Sequence, residues 1–233
     1  MNVDHIAEAV ENLAPEQALD TVLAANQTAI VCLTSSFQAE DMAVLHILRK
    51  RIPDVQVLFL DTGYHFAQTY EYRDRMAKDW SLNLVNVLPK QTVPEQESAF
   101  GILNQTDPTR CCQLRKVDPL LGALEPFDVW FTGLRRQQSP TRRNLKKLEL
   151  HRLPTGKTLW KVSLLADWNW ERVWNYTNAN GISHLPQYDE GYLSIGCEPC
   201  TALPVDPNNP RSGRWGGTKL ECGIHTFSKR AEA

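Results

Sequence analysis

No stretch of this 233-residue chain is apolar enough for long enough to form a membrane-spanning helix, so no membrane role is expected. The first ten residues lack the basic-then-apolar order of a secretory signal, because Asp4, His5 and Glu8 interrupt them. Neither sign of charge is in excess: 25 Lys and Arg against 27 Asp and Glu leave a net charge of −2. That balance excludes a general nucleic-acid binder, which needs a basic face, and limits any bound anion to a small, locally held one. Internal repeats and low-complexity tracts are absent. A cytoplasmic, reducing location is expected, and there six cysteines are read as metal-binding or catalytic rather than as a disulfide framework. The pattern does not fix the oligomeric state and is compatible with a homo-oligomer.

What is present is enough apolar residue, 42%, to bury a full core. Apolar spacing predicts one or two amphipathic helices ahead of a first strand at 29–33, then helix 40–51, strand 55–60, helix 66–80 and strand 82–88. The alternation predicts an α/β fold with a parallel sheet covered on both faces. Helix 113–124, strand 129–132 and helix 168–180 follow, the last ending at Gly181 as a C-cap. From Thr201 the periodicity gives way to Pro204, Pro207, Pro210, Gly213, Gly216 and Gly217. The expected organisation is therefore an α/β domain over 1–200 and a loop-rich C-terminal segment over 201–233.

In such a sheet, ligands sit beyond the carboxyl ends of the strands. The turn after the first strand carries Ser35, Ser36, Phe37, Gln38, Ala39, Glu40 and Asp41, with hydroxyls and backbone N–H groups that suit a phosphate or equally an ordinary helix cap. The turn after the second carries Asp61, Thr62 and Gly63, where a carboxylate could accept from a nucleoside. Cys32, in the middle of a strand, reads as a small buried residue. Cys111 with Cys112, and Cys197 with Cys200 across a Glu-Pro turn, can present four sulfurs to one centre, and spacing alone leaves structural zinc and an iron–sulfur cluster open. Cations gather near them: Arg110, Arg115 and Lys116, then Arg135, Arg136, Arg142 and Arg143, then Arg211 and Arg214 in Arg-Ser-Gly-Arg. Guanidinium forks in a Gly- and Pro-rich loop suit phosphate or sulfate oxygens, whereas Lys146 and Lys147 read as solvated surface. Cys222, followed by Gly223, Ile224 and His225, is a fifth thiol left over as a nucleophile.

Taken together, Cys-Cys-Gln-Leu-Arg-Lys at 111–116, Thr-Gly-Leu-Arg-Arg-Gln-Gln-Ser-Pro at 132–140, Cys-Glu-Pro-Cys at 197–200, Arg-Ser-Gly-Arg-Trp at 211–215 and Glu-Cys-Gly-Ile-His at 221–225 resemble the assimilatory adenylyl-sulfate reductases of the adenylyl-sulfate/3′-phosphoadenylyl-sulfate reductase family. The resemblance implies an adenine nucleotide α-hydrolase-like sheet and a [4Fe–4S] cluster on Cys111, Cys112, Cys197 and Cys200. It also implies contacts from Lys116, Arg142 or Arg143, Arg211, Arg214 and His225 to a phosphosulfate, with Ser35 and Ser36 in the phosphate loop and Asp61, Thr62 and Gly63 in a second nucleotide motif. Gln38 departs from the glycine expected in that loop. The implied reaction is attack of Cys222 on the sulfur of adenylyl sulfate, release of AMP, and release of sulfite from the S-sulfocysteine by thioredoxin or a similar dithiol. The alternatives are a 3′-phosphoadenylyl-sulfate or dual-specificity reductase, an ATP pyrophosphatase, for which Phe37 and Gln38 are too bulky, and a zinc-braced binding module.

Overall fold

The computed structural model describes residues 3–206, 209–217, 219 and 221–225; residues 226–233 of the expected C-terminal segment, and Pro207 within it, lie outside the described residues. Two helices open the chain. In α1 (Val3–Glu11), Ile6 and Val10 point inward, and α2 (Pro15–Ala25) begins on a proline, whose missing N–H costs nothing in a first turn. The alternation that follows gives β1 (Val31–Thr34), α3 (Ala39–Arg49), β2 (Gln56–Leu60), α4 (Ala67–Asp79) and β3 (Asn83–Val87). Helices α5 (Val93–Phe100), α6 (Leu103–Thr106), α7 (Pro108–Cys112) and α8 (Asp118–Leu124) lead to β4 (Val129–Phe131). A hairpin of β5 (Leu148–Arg152) and β6 (Thr158–Val162) precedes α9 (Trp170–Ala179). Gly181, just beyond α9, has φ +62°, the left-handed turn that glycine adopts without a Cβ penalty.

The six strands form one sheet in the order β3-β2-β1-β4-β6-β5, parallel throughout except for β5, which runs antiparallel to β6 at the edge. The strand period of two decides which face each side chain meets. Leu33, Val57, Phe59, Val129 and Phe131 join the core formed with α1, α2, α3 and α9, while Cys32, Leu58, Trp130 and Leu159 face the core formed with α8. Both faces are thus dry, as the unbroken apolar runs require. Truncating any of these side chains to alanine, Leu33 for example, costs about 2–5 kcal/mol in such a position.

Three features differ from the sequence expectation. The β5–β6 hairpin was not predicted, and Lys147, read as solvated, is buried at its entrance. Its ammonium donates to the Leu13 carbonyl at 2.6 Å and pairs with Asp167 at 3.1 Å, so the buried charge is paired. Lys146 is exposed. The helix expected at 113–124 is the second half of a longer one: α7 runs through a single π turn, Gln113–Val117, into α8. Pro119 has no N–H to give and its ring crowds the preceding turn, and a widened turn relieves both.

Candidate active site

The sheet order reverses direction between β1 and β4, and a cleft opens there, beyond the carboxyl ends of β1, β2 and β4. Its floor includes Ser35 and Ser36, Leu60 and His65, and Thr132 and Gly133. The loop after β1 is held rigidly. Ser36 donates through N and Oγ to Asp41 Oδ2 at 2.6 and 2.7 Å, and the Phe37 N–H donates to Ser35 Oγ at 3.0 Å. Phe37 takes φ +60°, uncommon for a side chain with a Cβ, and is fixed by burying its ring against Phe59 and Tyr72. Gly133 lies so close that a Cβ there would be 2.2 Å from Asp41 Oδ1. Burial raises the Asp41 carboxyl to about 6. Neither serine caps α3: its N-cap is Gln38, which makes no capping bond. Gln38 instead accepts from the Ile195 N–H at 2.9 Å and donates to Ser36 at 2.9 Å, tying the loop to the segment before Cys197.

The second turn serves a different neighbour. Asp61, Thr62 and Gly63 do not line the cleft. Asp61 accepts from the Tyr70 hydroxyl at 2.6 Å and from the Gly63 N–H at 3.0 Å, and buried Thr62 shares a hydrogen with Cys197 Sγ at 3.2 Å. Arg115 is a brace as well, donating to Gln96 Oε1 at 3.1 Å and to the Gln91 carbonyl at 3.3 Å from beneath this turn. Of the two arginines left open, Arg142 lines the cleft, whereas Arg143 is exposed and donates to the Pro140 carbonyl at 3.3 Å.

Cys111, Cys112, Cys197 and Cys200 all line one small cavity next to the cleft, together with Tyr64, Lys116 and Trp215. All four are buried and none is in a disulfide. The π turn matters here: Cys111 and Cys112 end α7, and the wider turn carries Lys116 into the wall between the cavities. Among the described residues no three His, Cys, Asp or Glu side chains close on a point as a single metal ion requires. The donor chemistry, four soft sulfurs lining a shared space, suits an iron–sulfur cluster or a zinc ion alike. Electrostatics agrees with that fit. Burial holds the Cys111 thiol up at about 11 and raises those of Cys112 and Cys200, so as free thiols they would be neutral. Burial would also depress Lys116, yet negative charge on the neighbouring sulfurs, Cys197 first, holds its ammonium above the ordinary range. Cys197 is the one thiol of the four held below the ordinary range: burial would raise it, but Lys116, the Thr62 hydrogen bond and Arg214 lower it.

The C-terminal segment closes the cleft. Thr201 and Arg214 form an antiparallel bridge, and Gly213 packs where a Cβ would lie 2.1 Å from the Ala202 carbonyl. Arg214 is buried, donates to the Cys200 carbonyl at 3.2 Å and Ser194 Oγ at 3.3 Å, and lies over Trp215 at 4.6 Å. Arg211 lies over the same ring at 5.4 Å, and burial beside Arg142 lowers its guanidinium to about 10. Cys222 lines the cleft and packs with Cys112, Cys197 and Cys200. His225 stacks on Trp130 at 5.5 Å, and burial, with Lys161 and Arg142 nearby, keeps its imidazole neutral. The structure therefore brings Ser35, Ser36, Lys116, Arg142, Arg211, Arg214, Cys222 and His225 around one cleft, and leaves Asp61, Thr62, Gly63 and Arg143 off it. Sequence reasoning did not find the buried pair Arg135–Glu40, at 2.8 Å in the cleft wall, nor Trp215 as the wall shared with the thiol cavity.

An open, mostly parallel sheet with a cation-lined cleft at its switch point defines an α/β protein of the adenine nucleotide α-hydrolase type. Solved structures agree. The phosphate complex of phosphoadenylyl-sulfate reductase from Candida auris superposes with a TM-score of 0.72 at 24% identity, over 84% of this chain and 94% of that one. FMN adenylyltransferase from Candida glabrata gives 0.59 at 14% identity, over 92% and 77%. Sequence comparison is more specific. The phosphoadenosine phosphosulfate reductase domain family matches residues 30–203. Adenosine 5′-phosphosulfate reductase of Mycolicibacterium smegmatis is 45% identical over 80% of this chain and 78% of its own length. Phosphoadenosine 5′-phosphosulfate reductase of Gloeobacter violaceus is 39% identical over 96% and 93%. The chain belongs to the phosphoadenosine phosphosulfate reductase family, and is an enzyme of sulfate reduction.

Proposed function

We propose that the protein reduces adenylyl sulfate to sulfite and AMP, using Cys222 as nucleophile and thioredoxin or a similar dithiol as reductant, in the cytoplasm. The observation that carries this reading is the division of sulfurs: four in a closed cavity, and a fifth, Cys222, in the neighbouring cleft, with Lys116 and Trp215 lining both. The 45% identity to an enzyme named for adenosine 5′-phosphosulfate favours that nucleotide over its 3′-phosphorylated form.

In this reading the loop from Ser35 and the N-terminus of α3 hold the phosphate, because helix N-termini present N–H groups and positive potential to anions. Arg142, Arg211, Arg214 and Lys116 surround the phosphosulfate and offset charge that builds on the bridging oxygen. The Cys222 thiolate attacks sulfur, the S–O bond breaks, and AMP leaves with its electron pair. A thiolate of the dithiol then attacks Cys222 Sγ, sulfite leaves with the S–S pair, and the second thiol resolves the mixed disulfide, regenerating Cys222 and oxidising the dithiol. Neutral His225 on Trp130 lines the anion site without adding charge. Cys111, Cys112, Cys197 and Cys200 would hold a [4Fe–4S] cluster, which when bound would supply fixed negative charge beside Lys116 and brace the cleft wall. Opening of the segment from 201 onward would admit the dithiol.

The test is an anaerobic assay of sulfite release with adenylyl sulfate, its 3′-phosphorylated form and ATP as separate substrates. Release from the first, with a sulfonated tail peptide seen by mass spectrometry and a broad visible absorbance, is the expected result. Cys222→Ser should abolish release and the sulfonated peptide while keeping the absorbance. Full activity in Cys222→Ser, or zinc in place of iron in the purified protein, would overturn the reading.

A further inference from the structure

We propose that Glu221 is the positioning residue of the C-terminal segment: its carboxylate, gripped by Arg142 and Thr141, docks the chain so that Cys222 lies in the cleft. Arg142 donates Nε to Oε1 at 2.9 Å and Nη2 to Oε2 at 2.7 Å, a two-point fork, and Thr141 Oγ1 donates to Oε1 at 2.8 Å. Arg211 Nη2 stands 3.9 Å from Oε2. Both partners of the fork are nearly enclosed, at 11% and 10% exposure, so the pair is shielded from the screening that makes surface ion pairs weak. Cys222 is the next residue, and one peptide unit leaves its Cα only ~3.8 Å from that of Glu221. The chain turns at once after it: Gly223 has φ +99° and approaches Val117, where a Cβ would lie 3.3 Å away.

Ile224 and His225 also anchor the segment, by apolar contact and by stacking on Trp130. Glu221 differs from them in gripping a cleft arginine. An anion entering the cleft meets an Arg142 fork already holding a carboxylate, so docking of the segment and binding of the nucleotide share one side chain. Burial alone would raise the Glu221 carboxyl, but the Arg142 hydrogen bonds and charge, with Arg211 and Thr141, keep it below the ordinary range, so the dock is intact at neutral pH. The catalytic consequence rests on the reading of Cys222 as nucleophile; the docking itself does not.

Alkylation of Cys222 by iodoacetamide, read by mass spectrometry on the intact protein without nucleotide, tests the dock directly. The rate is taken on the high-pH plateau, where the thiol is ionised in every variant and differences report access alone. Glu221→Ala should react at least about tenfold faster than wild type, the scale of losing charge-assisted hydrogen bonds. Arg142→Ala should do the same, and the double variant should be no faster than either single one, since the two act through one contact. In single-turnover S-sulfonation at saturating adenylyl sulfate, Glu221→Ala should be about tenfold slower, with AMP affinity unchanged or tighter because Arg142 is released. Glu221→Gln, which keeps the shape and one acceptor, should fall between wild type and Glu221→Ala in both assays. Equal alkylation rates in wild type and Glu221→Ala, or additive effects in the double variant, would overturn the proposal. If adenylyl sulfate is not the substrate, no variant is sulfonated, yet the alkylation difference remains.

Discussion

Gly196 lines the cleft but has no side chain with which to grip a ligand, yet adding a single methyl group there should cripple anion binding. Its φ is not in the left-handed region, so alanine brings no backbone strain. The effect is purely steric: the new Cβ would lie 2.1 Å from Arg214 Nη2, 2.6 Å from Cζ and 2.8 Å from Nη1. The guanidinium must leave its slot. It then gives up the Cys200 carbonyl and Ser194 hydroxyl, bonds worth about 1 kcal/mol each, and its place over Trp215. For a chain of this size a loss of about 2 kcal/mol lowers Tm by roughly 4–8 °C. The larger cost falls on the ligand, because a displaced Arg214 cannot meet the phosphosulfate. Loss of one charge-assisted contact, about 1.5–3 kcal/mol, corresponds to a fall in kcat/KM of roughly 10- to 150-fold. Sulfite-release kinetics, AMP titration calorimetry and thermal melts on Gly196→Ala check both halves. Nucleotide affinity and kcat/KM equal to wild type would refute the placement of Arg214 as an anion contact.

Lys147→Ala should destabilise by about 3 kcal/mol, because it leaves the Leu13 carbonyl unpaired and a void behind, with specific activity of the folded fraction unchanged; a urea midpoint equal to wild type would contradict it. His151 supplies a pH test. It is 2% exposed, and burial, then the charge of Lys161, lowers its imidazole to about 4. The unfolded chain takes up the proton first, near 6.5, so this contribution is complete above about pH 6.5 and is lost as pH falls toward 4, reaching about 2 kcal/mol at pH 5. Urea unfolding at pH 7 and pH 5 should show that difference, and His151→Gln should flatten the slope by about one proton; an unchanged slope would count against the burial argument.

The first half of the sheet was legible because β1, β2 and β3 are short apolar runs separated by helices of ordinary length, and burial on both faces leaves no other reading of such runs. The β5–β6 hairpin was less so. Leu148, Leu150 and Arg152 alternate with Glu149 and His151, and the turn at Thr155 and Gly156 is a usable signal, but Lys146 and Lys147 directly before it suggested surface. A lysine buried by a distant carbonyl and carboxylate cannot be told from a solvated one by its neighbours in sequence. At the site, the cysteines were legible through spacing, whereas the separation of Arg142 from Arg143 was not. Adjacent residues in a tight 3-10 turn point in different directions, and only the turn's path past Glu221 decides which one enters the cleft. The turn at Asp61 was read as a nucleotide contact because it follows a strand. The actual reach of that turn is toward Cys197, since Arg115 and the Tyr70 hydroxyl draw it away from the cleft.

The placement of charge explains why one cleft tolerates so many cations. Lys116, Arg142, Arg211 and Arg214 line it, and their mutual repulsion would be costly if nothing opposed it. Each is matched from a different direction: Lys116 by the sulfurs, Arg142 and Arg211 by Glu221, and Arg214 by carbonyl and hydroxyl oxygens and the face of Trp215. Two of these partner sets, the sulfurs and the oxygens of Cys200 and Ser194, are fixed by the fold. The third is a carboxylate on the segment that bears Cys222. An arriving phosphosulfate shares Arg142 and Arg211 with Glu221, so the carboxylate that docks the segment bearing Cys222 stays in place for attack on sulfur while the cleft still offers its cations to the substrate.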